Sequence, residues 1–139
     1  MGINEKQSDR DNEAKAFAAL EPVWKCSIAK TSTLSAVDGI AISDGKLTAV
    51  IEFREVRHSG KSFIVSEAKR IKMLALSDLL NVPAIMVFSR NDQLFWFDIS
   101  HKPDSIEMFT RNVERNGDYD ENVCRYDFSH NFIRKVLTI

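Results

Sequence analysis

Hydrophobic and polar residues along the chain form patterns that predict alternating helices and strands. The first twelve residues are almost free of apolar side chains, which is typical of a flexible tail. Apolar residues then recur at helical spacing, as at Ala16 and Leu20, and Pro22 should end this helix because proline disfavours a helical conformation at the preceding residue. We therefore predict a tail over residues 1–12 and one domain over 13–139.

The next segment, residues 33–56, is rich in β-branched residues and is divided by a Ser-Asp-Gly turn signal. This pattern predicts a hairpin of two antiparallel strands. Side chains of a strand alternate between its two faces, so Glu52 and Arg54 share one face of the second strand. A carboxylate and a cation thus lie two residues apart on the same side.

The length of the turn decides where Asp38 lies relative to Glu52. A two-residue loop, Asp44 and Gly45, would place Asp38 on the opposite face unless a bulge intervened. A three-residue loop that includes Ser43 would make Asp38 the diagonal neighbour of Glu52, at about 7–8 Å between Cα atoms. In that register the two carboxylates can bind one ion, and we expect them to point to the same side of the sheet.

Helical periodicity returns after a polar stretch. Ser66 is a favourable N-cap for a helix over residues 67–80, and Asn81 should follow its last turn. The run 84–88 has no polar alternation, which is typical of a strand covered on both faces, and 94–97 is predicted as its hairpin partner. Strand, helix and strand in this order predict a parallel crossover. The helix has a wide apolar face, made by Ile71, Met73, Leu74, Leu76, Leu79 and Leu80.

The pattern weakens towards the end of the chain. It predicts a strand or helix near residues 106–110 and an acidic loop at 118–121. Closing segments are expected near 124–128 and 132–137.

Composition bounds the class of protein. A chain of 139 residues with 44% hydrophobic content can close one core, and a net charge of −1 means that any case for nucleic acid must come from a local site. Cys26 and Cys124 belong to no metal or disulfide pattern, so we expect idle thiols. No apolar stretch approaches the ~18 residues that cross a bilayer. We expect a soluble protein without membrane contact in the cytoplasm of a prokaryote or a phage-infected host.

Phosphodiester cleavage requires a metal ion that polarises the phosphate and activates water, and Mg²⁺ prefers a few hard oxygens, typically one or two carboxylates with water and phosphate. Around the hairpin the sequence resembles the PD-(D/E)xK nuclease superfamily, in which an acidic residue opens a hairpin and (D/E)xK follows on the next strand. The match is Val37-Asp38-Gly39 and Glu52-Phe53-Arg54. Ser66-Glu67-Ala68-Lys69 and residues 79–87 are similar to the helix and strand of small phage and prokaryotic members, so the resemblance covers about residues 13–99.

The resemblance implies an α/β, restriction-endonuclease-like core of order α-β-β-β-α-β, with a mixed sheet flanked by helices. It implies Asp38 and Glu52 as metal ligands and the Phe53 carbonyl as a further oxygen, with Mg²⁺ as cofactor and Mn²⁺ as a substitute. Glu13 matches an acidic residue that many members carry on the first helix.

One position departs from the family pattern, because Arg54 stands where the motif has lysine. Arginine supplies positive charge but is effectively never neutral, so it can stabilise a phosphorane yet cannot act as a base. Lys69 or Lys72, near the start of the second helix, is the alternative source of an ammonium group. The basic residues around the site are either phosphate contacts or a solvated face; they include Arg57, Lys61, Arg70 and Lys72.

Three functions are compatible with the sequence. The first is a Mg²⁺-dependent deoxyribonuclease, such as a phage or prokaryotic endonuclease or junction resolvase, which acts on DNA as a homodimer or in a larger assembly. The second is a catalytically silent nucleic-acid-binding or assembly module with the same fold, for which Arg54 is the main evidence. The third is an unrelated α/β regulatory protein, which predicts no metal affinity.

Overall fold

The computed structural model describes residues 7–31, 37–113 and 117–136. Parts of the predicted tail (1–6), of the first hairpin strand (33–36) and of the last segment (137) lie outside these ranges. The helices are α1, Gln7–Trp24, and α2, Glu67–Leu80. The strands are β1 Ser27–Lys30, β2 Gly39–Ser43, β3 Lys46–Glu55, β4 Ser62–Ser66, β5 Ala84–Arg90, β6 Gln93–Asp98, β7 Ser105–Val113, β8 Gly117–Asp127 and β9 Arg134–Lys135.

Helix α1 is longer than predicted. It begins at Gln7 rather than Glu13, so helical backbone replaces part of the predicted tail, and it contains Pro22. The early start fits the added residues, because Gln7 and Arg10 are good helix formers and an acidic residue in the first turn, Asp9, is favoured by the helix dipole. Proline removes one backbone hydrogen bond near the end of the helix, but Leu20 is fully buried there, and this packing offsets the loss. The helix ends before Lys25, which adopts a left-handed conformation with φ of 53°.

The larger sheet has the strand order β1-β2-β3-β5-β6-β9. Strands β3 and β5 are parallel, and the other neighbours are antiparallel. The predicted parallel crossover and the β5–β6 hairpin are therefore confirmed. Strand β4 does not belong to this sheet and forms a second, three-stranded sheet of order β4-β8-β7. The result is the expected mixed sheet flanked by helices, with an additional three-stranded sheet.

Two apolar layers cover the opposite faces of the larger sheet. On one face, α1 packs Phe17 and Leu20 against Ile51 and other residues of the central strands. On the other face, α2 and the smaller sheet pack against Val50 and Phe88. Because β3 lies at the centre of both layers, its side chains from Ala49 to Glu52 are buried on both faces.

Helix α2 has the predicted bounds, and its cap is as expected. The Ser66 hydroxyl accepts a hydrogen bond from the Lys69 N–H at 3.4 Å, and Asn81 closes the helix in a left-handed conformation. The predicted wide apolar face is wrong in part, because the smaller sheet covers only a narrow stripe centred on Met73, which is fully buried. The exposed apolar side chains of the helix are Ile71 (56%), Leu79 (80%) and Leu80 (40%).

The C-terminal third is a long hairpin, in which β7 pairs with β8. The segment predicted as a strand or helix near 106–110 is a strand, whereas the predicted acidic loop at 118–121 is wrong, because these residues belong to β8. Thr110 donates a hydrogen bond to the Asp120 carboxylate across the strands at 2.7 Å, which compensates for the low strand propensity of aspartate. In the described part of the chain, no helix is long and apolar enough to span a membrane.

Candidate active site

The turn of the β2–β3 hairpin has two residues, Asp44 and Gly45, which both have positive φ. Ser43 pairs with Lys46, so the three-residue loop that would have made Asp38 the diagonal neighbour of Glu52 is wrong. The Asp-Gly pair tolerates positive φ at both positions, and this favours the tighter turn.

A β-bulge changes the register of the same hairpin. Ile42 pairs with Leu47 and Ala41 pairs with Ala49, so Thr48 is an extra residue on β3. The insertion changes which face each residue of β2 shares with β3. The alternative of a short loop with a bulge is thus the one that the hairpin adopts.

The side chain of Asp38 is held against β3 just before β2 begins. Its backbone N–H donates to the Ile51 carbonyl at 2.9 Å, and one carboxylate oxygen, Oδ2, accepts from the Phe53 N–H at 2.8 Å. These contacts on either side of Glu52 fix the carboxylate of Asp38 beside that residue.

Glu52 is a buried carboxylate, with 7% of its surface exposed. Its Oε2 atom lies 3.1 Å from the Nζ atom of Lys69, while Oε1 is buried without a hydrogen-bond partner among the described residues. Burial raises the pKa of Glu52 to about 8, and the negative charge of Asp38 also raises it, against the opposing effect of Lys69. The carboxylate therefore has less positive charge around it than its ionised form requires.

Both carboxylates line an open pocket of about 410 Å³. Glu13 reaches it from α1 and is 5% exposed, and its Oε1 atom lies 3.3 Å from the Nζ atom of Lys30. Lys30 did not emerge from the sequence, because β1 has four residues and no clear alternation. Its pairing with Gly39, next to Asp38, is the signal that a correct strand prediction would have used.

The predicted basic residues separate into those at the pocket and those elsewhere. Arg54 lines the pocket and makes no hydrogen bond or ion pair with any other described residue. Arg57 lines it as well and pairs with Glu55 at 3.1 Å. Lys69 approaches from α2 through its contact with Glu52.

Arg70, Lys61 and Lys72 do not line the pocket. The guanidinium of Arg70 donates to the Ile99 carbonyl at 3.1 Å and to the Tyr126 hydroxyl at 3.0 Å. This side chain joins α2 to the smaller sheet, so its predicted contact with phosphate is not supported by the geometry.

The donor set at the pocket fits a magnesium ion. Mg²⁺ is usually held by one or two carboxylates and completes its shell with water and phosphate oxygens. Asp38 and Glu52 supply two carboxylates, and the unpartnered Oε1 atom of Glu52 is the kind of buried oxygen that a cation satisfies. Within the described ranges no three His, Cys, Asp or Glu side chains form a metal-binding group, so Glu13 does not complete a three-acid cluster.

A mixed sheet of this order, with helices on both faces and an acidic pair at the end of the central hairpin, defines the restriction-endonuclease-like fold. The sequence matches the model of a family described as "Phage putative PDDEXK endonuclease" over residues 3–131. The chain belongs to this family of endonucleases, as the motif residues indicated. A search of curated protein sequences finds no match.

Among solved structures, the fold is similar to that of Hjc, a Holliday junction resolvase from the archaeal hyperthermophile Archaeoglobus fulgidus. The two chains superpose with a TM-score of 0.54 and 12% sequence identity, over 84% of this chain and 85% of the other. At this identity the comparison establishes the fold, and the restriction-endonuclease-like architecture is confirmed.

Proposed function

We propose that the protein is a divalent-metal-dependent endonuclease that hydrolyses phosphodiester bonds of DNA, with Asp38 and Glu52 as metal ligands. The observation that carries the proposal is the Glu52 carboxylate, which is buried beside a second carboxylate and has one oxygen without a hydrogen-bond partner among the described residues. Two adjacent acidic groups in a buried setting are unfavourable without added positive charge. A divalent ion would supply that charge.

The residues around the pocket have separate tasks in this proposal. Asp38, Glu52 and the Phe53 carbonyl would hold Mg²⁺, or Mn²⁺ in its place. When bound, the ion polarises the phosphate and lowers the pKa of an attacking water. Lys69 supplies a fixed ammonium group beside the phosphate, where developing negative charge needs stabilisation. Arg54 adds a second positive charge from the same strand as Glu52.

Lys69 is the better candidate for the task of the motif lysine. Its Nζ atom lies 3.1 Å from Glu52, the side chain is 28% exposed, and the capped first turn of α2 fixes its backbone. Arg54 has no described partner that orients it. We propose Glu13, which pairs with Lys30, as an auxiliary acidic residue that shapes the pocket.

The replacement of the motif lysine by Arg54 favours a second candidate function, a catalytically silent module that binds nucleic acid. The two functions differ in cleavage, and both include metal and DNA binding. Because the similar fold belongs to a Holliday junction resolvase, branched DNA is the first substrate to test beside linear duplex and plasmid. A homodimer or larger assembly stays a prediction.

The test is a cleavage assay with supercoiled plasmid, linear duplex and a four-way junction, each with Mg²⁺ or Mn²⁺. We expect the wild type to cut at least one of them. Asp38→Asn and Glu52→Gln should each reduce the rate by about 100-fold or more, as loss of an electrostatic contact in the transition state does. Asp78→Asn, which removes an exposed carboxylate on α2, is the matched control and should cut like the wild type.

Two outcomes would contradict the proposal. If the wild type binds DNA but cuts no form of it with either metal, the silent module is the correct function. If the Asp38→Asn/Glu52→Gln double variant cuts at the wild-type rate, in preparations free of contaminating nuclease, the active site lies elsewhere.

A further inference from the structure

A second concavity of about 740 Å³ adjoins the candidate active site. It shares three wall residues with the pocket of Asp38 and Glu52, namely Phe53, Glu55 and Arg57. From there it extends between α1 and the β5–β6 turn as far as β9. The two cavities are therefore direct neighbours, and we call the second one the lateral cleft.

The lateral cleft is more positive than the protein as a whole. Among the described residues, its walls carry four basic side chains and two acidic ones, whereas the whole chain has a net charge of −1. One of the acidic groups, Glu55, is already paired with Arg57 at 3.1 Å. The basic residues of the lateral cleft are Lys15, Arg57, Arg90 and Lys135, and the acidic ones are Glu55 and Asp92.

The basic side chains differ in how firmly they are held. Arg90 belongs to the wall, because its guanidinium donates to the Gly60 carbonyl at 2.7 Å and lies 4.0 Å from the centre of the Phe128 ring. Lys15 and Lys135 are exposed and form no ion pair with another described residue. Two lysines that pair with no described residue and line the same cleft are available for anionic groups of a ligand.

The dimensions of the cleft fit a strand of nucleic acid. Strands β3, β5, β6 and β9 are successive neighbours, and their register places Lys135 on β9 three strand spacings, about 14 Å, from Arg54 on β3, two residues beyond Glu52. One strand of nucleic acid carries a phosphate about every 3.4 Å along the helix axis. The distance from the acidic pair to Lys135 exceeds the spacing of successive phosphates, so the cleft has room for more than one phosphate of a strand.

We propose that the lateral cleft binds the sugar-phosphate backbone of the strand that leads away from the scissile phosphate, with Lys15, Arg57 and Lys135 as its phosphate contacts. The inference rests on the proposed function, since it takes the acidic pair as the place of cleavage. It adds residues from α1 and β9, which are distant in sequence from the motif. Contacts of this kind bind DNA without reading its sequence.

The test compares the salt dependence of DNA binding between two double variants. Lys15→Ala/Lys135→Ala removes two charges from the lateral cleft. The control, Lys46→Ala/Lys102→Ala, removes two exposed lysines outside the cleft. Lys46 begins β3, about 30 Å along the strand from its last residue, which lines the cleft. Lys102 lies after the C-terminal end of β6, whereas the N-terminal end of β6 lines the cleft. The two double variants have equal net charge.

Binding is measured by fluorescence anisotropy with a labelled duplex and a four-way junction, in EDTA and at 50–200 mM NaCl. In the cleft variant, the slope of log Kobs against log salt concentration should decrease in magnitude by about 1.8 for duplex DNA, which corresponds to two lost phosphate contacts. The control variant should keep the wild-type slope. With Mg²⁺, the cleft variant should show a raised KM and an unchanged kcat.

The outcomes separate this inference from the proposed function. If the wild type cuts DNA and the cleft and control variants show the same slopes, the lateral cleft is not the path of the backbone and the proposed function stands. If the wild type neither binds nor cuts DNA, the proposed function fails and the inference fails with it. Melting curves that match the wild type establish that both double variants are folded.

Discussion

The metal-free protein should gain stability at neutral pH when Glu52 is replaced by glutamine. Folding raises the pKa of this carboxyl from its usual 4.5 to about 8, so the folded state holds a proton that the unfolded chain releases. Stability from this group is complete below about pH 4.5 and is lost as the pH rises towards 8. At pH 7 the loss amounts to about 3 kcal/mol, at about 1.4 kcal/mol per pH unit.

Glutamine has nearly the same shape as the protonated side chain and does not ionise. The free energy of unfolding of Glu52→Gln should therefore be close to that of the wild type at pH 4 and exceed it by up to about 3 kcal/mol at pH 7. Urea denaturation of both proteins in EDTA at a series of pH values measures the difference. Asp78→Asn, an exposed change of the same chemistry, should show little pH-dependent difference.

Divalent metal extends the experiment to the proposed site. An ion at 100 times its dissociation constant stabilises the folded state by about 2.7 kcal/mol, so Mg²⁺ or Mn²⁺ should stabilise the wild type and leave Glu52→Gln unchanged. A wild type that is as stable at pH 7 as the glutamine variant, without metal, would refute the argument from burial. Equal stabilisation of both proteins by metal would refute Glu52 as a ligand.

Three further predictions concern other parts of the molecule. Lys69→Ala should reduce the single-turnover rate of cleavage by about 100-fold or more, whereas Arg54→Ala should have a milder effect. The reverse order of the two rates would assign the task of the motif lysine to Arg54. Glu107→Gln should destabilise the protein at pH 7, because the Arg125 guanidinium lowers the pKa of this carboxyl to about 2. The difference in free energy of unfolding from the wild type, measured by urea denaturation, should shrink as the pH falls from about 4.5 towards 2. A difference that stays constant with pH would contradict the ion pair. Phe97→Ala should cost about 3–5 kcal/mol, since the side chain is fully buried, and calorimetry with no loss of melting temperature would contradict that packing.

Local signals in the sequence were sufficient for the elements that hold the acidic pair. The Asp-Gly turn predicted the β2–β3 hairpin, and Ser66 predicted the start of α2, because both depend on backbone conformations that few residue types favour. The order of acid, hairpin and basic-headed helix then indicated the family that the comparison establishes.

Features that depend on distant parts of the chain were not predictable in the same way. The bulge at Thr48 is a property of the paired strands, and no residue type marks it. The exposure of Leu79 was missed because periodicity gives the apolar side of a helix but not the width of the surface that covers it. Lys30 reaches the site because β1 pairs with β2, and a strand of only four residues is too short to be predicted from its sequence pattern.

Strand β4 runs directly into α2, because its last residue, Ser66, is also the N-cap of the helix. The same residue pairs with Val123 of β8. No flexible joint therefore separates the C-terminal hairpin from the helix turn that carries Lys69. A slip of β4 along β8 by one residue would carry that turn about 3.3 Å, a displacement as large as the 3.1 Å that joins Lys69 to Glu52. The C-terminal hairpin thus fixes the position of the Lys69 ammonium group relative to Glu52. Substitutions that loosen this hairpin should lower activity, although none of its described side chains lines the pocket.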